Sequence, residues 1–261
     1  MRLDRALVDR GLARSRAEAA SFIDAGGVTV DGVVQTKASA PVLDSSVIDI
    51  TGEICPYVSR GGLKLAGALD QFAIDAHDRL CLDVGASTGG FTDCLLQRGA
   101  RHVIAIDVGH AQMHPTLAAD PRVTLREGVN ARSLSIDDFD GLFDIVVADL
   151  SFISLTLVIP AIAPLTVDGG QFVLLVKPQF EVGPSGLGKG GLVRDERLRQ
   201  EAVERVRMCA EANGLVVRGS ITSPIAGGDG NVEYLLWASR ASNSQFTVGR
   251  RACLDPIPIS T

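Results

Sequence analysis

The chain of 261 residues has no apolar stretch approaching the roughly 20 residues that span a bilayer. Its best candidate, Leu155 to Val167, is broken by Pro160 and Pro164. A spanning helix is therefore not expected. The charged start, Met1-Arg2-Leu3-Asp4-Arg5, lacks the apolar core of a signal peptide. The five cysteines, at 55, 81, 94, 209 and 253, form no Cys-x-x-Cys pair. That argues against a zinc site and for a reducing, cytoplasmic setting. Cys81, set among apolar residues, reads as core filler. No internal repeat is visible, and there is no surplus of positive charge. A formal net charge of −6 counts against nucleic-acid binding through bulk electrostatics. The charge is unevenly spread, however. Arg2, Arg5, Arg10, Arg14 and Arg16 crowd the first stretch against Asp4, Asp9 and Glu18. A local basic face can exist on an acidic chain.

At 46% hydrophobic residues the chain can bury one large core and a small one. The spacing of Leu3, Ala6, Leu7 and Val8 predicts a short helix that stops at Gly11. Ser15 with Glu18 forms a capping box for a second helix from Arg16 to about Ala25. Val28-Thr29-Val30, Asp31-Gly32 and Val33-Val34 read as strand, tight turn, strand, with another strand near 46–50. We expect a small α+β domain over 1–54, a linker over 55–58, a large domain over 59–240 and a partly disordered tail over 241–261. In the large part a first helix covers 61–74. Strands near 80–84, 102–106, 122–126, 143–148, 171–176, 214–221 and 232–238 then alternate with helices near 88–98, 111–119, 152–165 and 195–212. Alternation of this kind predicts an α/β fold, a doubly wound and mostly parallel seven-stranded Rossmann-like sheet.

The ligand signal is the turn after the first of these strands. Asp83-Val84-Gly85-Ala86-Ser87-Thr88-Gly89-Gly90-Phe91 joins an apolar strand to a helix, and such a Gly-rich turn brings backbone close to a ligand. Asp107 ends the next strand, where an acid can accept both hydroxyls of a ribose. A nicotinamide site usually shows Gly-x-Gly-x-x-Gly; an Asp-x-Gly turn is typical of S-adenosylmethionine methyltransferases instead. Asn130, after the third strand, is a candidate for the adenine, or a loop residue satisfying its own backbone.

Four charged residues fall where a parallel sheet presents its open edge: Asp149, Lys177 and Glu233 beside strand ends, and Lys64 on the preceding helix. Methyl transfer to an alcohol needs the attacking oxygen at least partly deprotonated, so a base must stand within hydrogen-bond reach. A lysine serves only when neutral, and a second nearby cation lowers its pKa. On this reading Lys64 is the second cation beside Lys177, Asp149 holds Lys64, Glu233 orients Lys177, and Asp149 also borders the cofactor. No metal is expected, because a sulfonium is already activated. Neither an Asn-Pro-Pro-Tyr motif for amino groups nor a strand-tip cysteine for pyrimidine carbon is present.

The order Lys64, Asp149, Lys177, Glu233 resembles the FtsJ-like ribose 2'-O-methyltransferases. Gly11-Leu12-Ala13-Arg14-Ser15-Arg16 with Gly26-Gly27-Val28-Thr29-Val30-Asp31-Gly32 resembles the small S4 RNA-binding domain. Together with Ser59-Arg60-Gly61-Gly62-Leu63-Lys64-Leu65, Ala148-Asp149-Leu150-Ser151-Phe152-Ile153-Ser154, Val176-Lys177-Pro178-Gln179-Phe180-Glu181 and Gly230-Asn231-Val232-Glu233-Tyr234, the whole resembles the TlyA family. The resemblance implies methylation of cytidine 2'-hydroxyls in ribosomal RNA of the small subunit, or of both subunits; we expect a cytoplasmic monomer. RNA contacts then fall on Arg5, Arg10, Arg14, Arg16 and Arg60. Family members are also named haemolysins, so a membrane-active protein is a rival reading, as is a non-catalytic ribosome-binding factor. Mixed charges around 194–207 suggest a solvated face rather than a lytic helix.

Overall fold

Residues 1–50 fold around short apolar stripes. Helix α1 (Leu3–Asp9) buries Leu3, Ala6 and Leu7 and ends where Gly11 takes a left-handed φ of 70°. Helix α2 (Arg16–Asp24) follows. Strands β1 (Val28–Val30) and β2 (Val33–Val34) are joined through Asp31 and Gly32, whose φ angles of 51° and 79° suit the twist of a tight hairpin. Strand β3 (Ile48–Ile50) pairs antiparallel with the other side of β1, giving the order β2-β1-β3. Leu3, Leu7, Ile23, Val28, Val42 and Ile48 form this core. The computed structural model describes residues 1–13, 16–24, 26–50, 55–227 and 230–242. The expected Ser15–Glu18 capping box, the Arg14 position and the tail from 243 lie outside the described residues.

The larger part continues with α3 (Gly61–Phe72), β4 (Leu80–Val84), α4 (Gly90–Gln97), β5 (His102–Asp107), α5 (Pro115–Ala118), β6 (Val123–Glu127) and β7 (Phe143–Ala148). It ends with α6 (Ile159–Ile162), β8 (Thr166–Val176), α7 (Pro178–Glu181), α8 (Glu196–Ala212), β9 (Leu215–Thr222) and β10 (Tyr234–Arg240). Seven strands form one sheet in the order β6-β5-β4-β7-β8-β10-β9. The first five are mutually parallel, and β10 enters antiparallel between β8 and β9. The central strands β4 and β7 and the latter part of β8 are apolar runs because helices cover both faces, whereas edge strands β6 and β9 are mixed. One apolar layer gathers Leu82, Phe143, Val146 and Phe172, and the other Leu65, Leu69, Leu95 and Val147. Cys81 is core filler as read, with burial pushing its thiol up to about 12.

Two expected helices are shorter than their periodicity suggests. The 152–165 stretch breaks into a 3-10 turn at Leu155–Leu157, α6 and a second 3-10 turn at Ala163–Leu165. Pro160 and Pro164 each sit near the start of a piece, where a missing N–H costs nothing. Helix α5 begins only at Pro115, after His114 caps it by accepting from the Thr116 N–H. Strand β8 conversely starts at Thr166, before the expected 171, and its pairing with β7 shifts register between Phe143 and Ile145.

Phe143 is wholly buried and meets Phe139 edge to face at 5.0 Å between centroids. Phe143→Ala should lower unfolding free energy by about 3–5 kcal/mol in denaturant titrations.

Candidate active site

The strand order reverses at β4, with β5 and β6 on one side and β7 and β8 on the other. The crevice outside the carboxyl ends of such strands is where open α/β sheets bind ligands. Here the Gly85 turn lies against the chain leaving β7. The Asp149 N–H donates to the Val84 carbonyl at 3.0 Å. Gly85 has a φ of 85°, and a Cβ there would fall 2.5 Å from the Asp149 carbonyl oxygen. Backbone cannot give way to a side chain at that spot, so only glycine brings the two strand tips together.

A second close approach seats Lys64. A Cβ on Gly90 would stand 3.0 Å from the Gly62 nitrogen and 3.2 Å from the Gly61 Cα. The first turns of α3 and α4 therefore touch backbone to backbone, and Lys64 on α3 reaches the crevice while only 7% exposed.

Two cavities, each of about 610 Å³, meet at Gly85, Ser87, Asp149 and Ser151. That volume is in the range that holds a medium-sized organic ligand, about 300–1,000 Å³. The first is bordered by Ile106, Asp107, Val108, Val129, Asn130 and Ile153. The second is bordered by Ser59, Arg60, Lys64, Ala86, Thr88, Gly90, Phe91 and Lys177, with Ala20 of α2 at its edge.

The four expected charged residues come together, but paired differently from the expectation. Lys177 Nζ lies 2.6 Å from Asp149 Oδ1 and donates to Ser151 Oγ at 2.9 Å. Lys64 Nζ donates to Glu233 Oε2 at 2.5 Å, and both side chains are nearly closed to solvent. Asp149 thus holds Lys177, not Lys64, and Glu233 holds Lys64. The reach of each side chain decides this, and strand position alone does not show it.

Other expected ligand residues divide by placement. Asp107 stands at the first cavity but already works within the protein. Its Oδ2 accepts from the Ser87 N–H at 2.8 Å and its Oδ1 from the Gly109 N–H at 2.7 Å. Each oxygen keeps a lone pair for a further donor. Asn130 also borders that cavity while its side-chain oxygen caps the following 3-10 turn by accepting from the Arg132 N–H at 3.0 Å. Two residues expected at the ligand border neither cavity. Gly89 fits under Leu117, 2.4 Å from where its Cβ would be. Asp83 is wholly buried and accepts from the Thr92 hydroxyl at 2.6 Å. Burial pushes its carboxyl up to about 7, opposed by the Thr92 hydrogen bonds and reinforced by the Asp149 and Asp107 charges.

The arginines are also sorted by geometry. Arg10 donates to the carbonyls of Ser46, Leu43 and Asp44, tying down the loop before β3. Arg16 pairs with buried Asp4 at 2.7 Å, which with Arg2 holds that carboxyl far below the usual range. Arg5 faces Asp9 at 3.5 Å on the surface, and Arg60 borders the second cavity. Ser151 and Phe152 were not singled out beforehand, although both sit in the motif after Asp149. Phe152 is 91% exposed, has a left-handed φ of 64° and meets the Phe180 ring at 5.2 Å.

Residues 57–240 match the model of the FtsJ-like methyltransferase family, and residues 1–48 match the S4 domain. The chain belongs to the FtsJ-like methyltransferases. It is 49% identical over 237 residues to the "16S/23S rRNA (cytidine-2'-O)-methyltransferase TlyA" of Mycobacterium tuberculosis, covering 90% of this chain and 88% of that one. It is 40% identical to "Hemolysin A" of Brachyspira hyodysenteriae, covering 90% and 98%. A solved structure from Streptococcus thermophilus, named as a hemolysin, aligns with TM-score 0.74 and 41% identity over 92% of this chain and 88% of that one. The FtsJ-like part is thus an enzyme domain, a methyltransferase in which Asp149 borders both cavities and Lys64 and Lys177 border the second.

Two outcomes follow for this methyltransferase domain. The folded chain holds Asp83 protonated up to about pH 7, whereas the unfolded chain releases that proton near 3.8. The contribution of this group is complete at low pH and is lost as pH rises through that interval, by up to about 4 kcal/mol. Asp83→Asn should flatten the decline, so melting temperatures of variant and wild type should diverge between pH 5 and about pH 7.5. Gly85→Ala should cost about 1–3 kcal/mol in thermal or denaturant unfolding, from the left-handed backbone alone.

Proposed function

We propose that the chain transfers a methyl group from S-adenosylmethionine to the 2'-hydroxyl of a cytidine ribose in ribosomal RNA. The observation that carries this reading is the Lys177 amine, which borders the second cavity and lies 2.6 Å from Asp149, a residue that borders both. The named activity of the Mycobacterium tuberculosis relative supports the substrate, and the S4 match supports RNA as its class.

The first cavity suits the cofactor. Gly85 lets the Asp149 backbone close against the turn at the cavity's edge, and Asp107 offers acceptor oxygens beside apolar Ile106, Val108 and Val129. S-adenosylmethionine supplies there a methyl group already activated by its sulfonium. The ribose enters from the second cavity, beside Lys64, Arg60 and Lys177. Transfer of a proton from Lys177 Nζ to Asp149 Oδ1 leaves the amine a lone pair. That lone pair takes the 2'-hydroxyl proton as the oxygen attacks. The Lys64–Glu233 pair sets the floor of this cavity and keeps a cation fixed near the developing oxyanion. Ser151 holds the Lys177 rotamer through its hydroxyl. Alignment of oxygen, methyl and amine then provides most of the acceleration.

Phe152 supports an unpaired nucleotide as substrate. An exposed aromatic ring beside the crevice is a stacking surface for a base taken out of its helix. Arg5 and Arg60 are the arginines whose placement suits phosphate contact, Arg16 being held by Asp4. We place the activity in the cytoplasm. Among the described residues no helix is long and apolar enough to cross a membrane.

The test is incubation of unmodified ribosomal subunits with labelled S-adenosylmethionine, followed by mapping of the modified nucleotide. Label on a cytidine 2'-oxygen is expected. Lys177→Ala and Asp149→Ala should each reduce incorporation by about 10²–10⁴-fold while the cofactor still binds. Near wild-type rates in either variant, or label on a base, would overturn the reading.

A further inference from the structure

One buried ionisable group near the crevice has no part in the steps above. Glu181 ends α7, the helical turn that begins directly after Lys177, and it is only 5% exposed. A glutamate is almost never so deeply buried without partners that need it. Its partners lie on a different segment. Glu181 Oε2 accepts from the Ser154 hydroxyl at 2.5 Å, and Oε1 accepts from the Leu155 N–H at 2.8 Å. Ser154 and Leu155 open the 3-10 turn at the end of the loop that starts at Asp149. Burial raises the Glu181 carboxyl above its ordinary value, the two hydrogen bonds acting in the opposite direction.

Local capping alone does not need this carboxylate. Ser154 Oγ already accepts from the Thr156 N–H at 3.2 Å, the usual cap for such a turn. What Glu181 adds is a bond across two loops. The same two segments touch again on the outside, where the Phe152 and Phe180 rings pack at 5.2 Å. Arg205 of α8 donates to the Glu181 main-chain carbonyl, fixing the end of α7 from behind. The Asp149 loop and the Lys177 turn are therefore joined at three depths: a buried carboxylate, the Lys177 contacts to Asp149 and Ser151, and an exposed ring pair.

We propose that Glu181 is a positioning residue for methyl transfer: its carboxylate locks the Asp149–Leu155 loop to the Lys177 turn and so sets where the Lys177 amine points. The proposal rests on the reading of Lys177 as the base. Glu181 touches neither cavity lining, so it acts through Lys177 and Asp149 and not on the reacting atoms. A displacement of about 1 Å in such a site can cost 10²-fold in rate.

The experiment uses the full chain with ribosomal subunits and labelled S-adenosylmethionine. Glu181→Ala should lower kcat by about 10–100-fold with cofactor affinity within about twofold of wild type. Glu181→Gln should restore most of the rate, because the amide can accept from Leu155 and donate to Ser154 Oγ. Ser154→Ala, a milder change should Glu181→Ala fail to fold, should lower kcat several-fold and lower the melting temperature only moderately, since the turn loses its cap and Glu181 Oε2 its donor. Hydrogen exchange gives a readout that needs no activity: Glu181→Ala should speed exchange at Leu155 and through residues 149–155 but not along β7. If wild-type protein modified no ribosomal RNA yet this exchange pattern appeared, the substrate reading would fail and the lock would stand. A kcat that drops only with the folded fraction, a glutamine variant no better than alanine, or unchanged exchange at Leu155 would overturn the proposal.

Discussion

The contact between Lys177 and Asp149 is the interaction around which the site is arranged. The amine and the carboxylate lie 2.6 Å apart, Asp149 bordering both cavities and Lys177 the second. Everything nearby serves to hold that distance. β7 and β8 pair in parallel, so their ends leave the sheet side by side. Ser151 fixes the amine from one side, and the chain after Lys177 is turned back at once by Pro178. A second pair, Lys64 with Glu233, brings opposite charge to the same crevice from α3 and from the residue before β10. Four charges that would be costly alone are tolerated as two matched pairs.

Glycine makes the packing of the site feasible. At Gly85 and Gly90 backbone meets backbone, and any side chain would push apart the turns that present Asp149 and Lys64. These contacts explain why glycines recur in the blocks flanking the tetrad. The Gly-rich turn is usually read as space for a ligand. Here Gly89 and Gly90 serve packing between helices and Gly85 serves the crevice, so one turn carries both tasks.

The alternation of strands and helices was legible in the sequence because parallel strands covered on both faces are unbroken apolar runs. All seven strands of the large sheet lie where those runs predict, with only ends differing. Helices crossed by proline were legible only as apolar stretches. Pro160 and Pro164 divide what periodicity joins. At the site, strand tips told which residues would meet but not how they would pair, since pairing depends on side-chain length and direction. Asp107 and Asn130 stand where a cofactor acid and an adenine contact were expected, yet part of their hydrogen-bonding capacity is spent on their own backbone. Arg10 illustrates the same limit: a positive charge on paper, it holds three carbonyls of a loop. Phe152 left no periodic trace, because an exposed aromatic in a loop breaks no pattern.

The Lys64–Glu233 contact links residues 169 positions apart in the chain. During synthesis the early partner therefore waits, unmatched, until nearly all of the sheet has emerged. A product cut short before Glu233 would also lack β10, the strand wedged between β8 and β9. Such a chain would carry Lys64 without its buried ionic partner and a sheet with nothing to join β9 to β8.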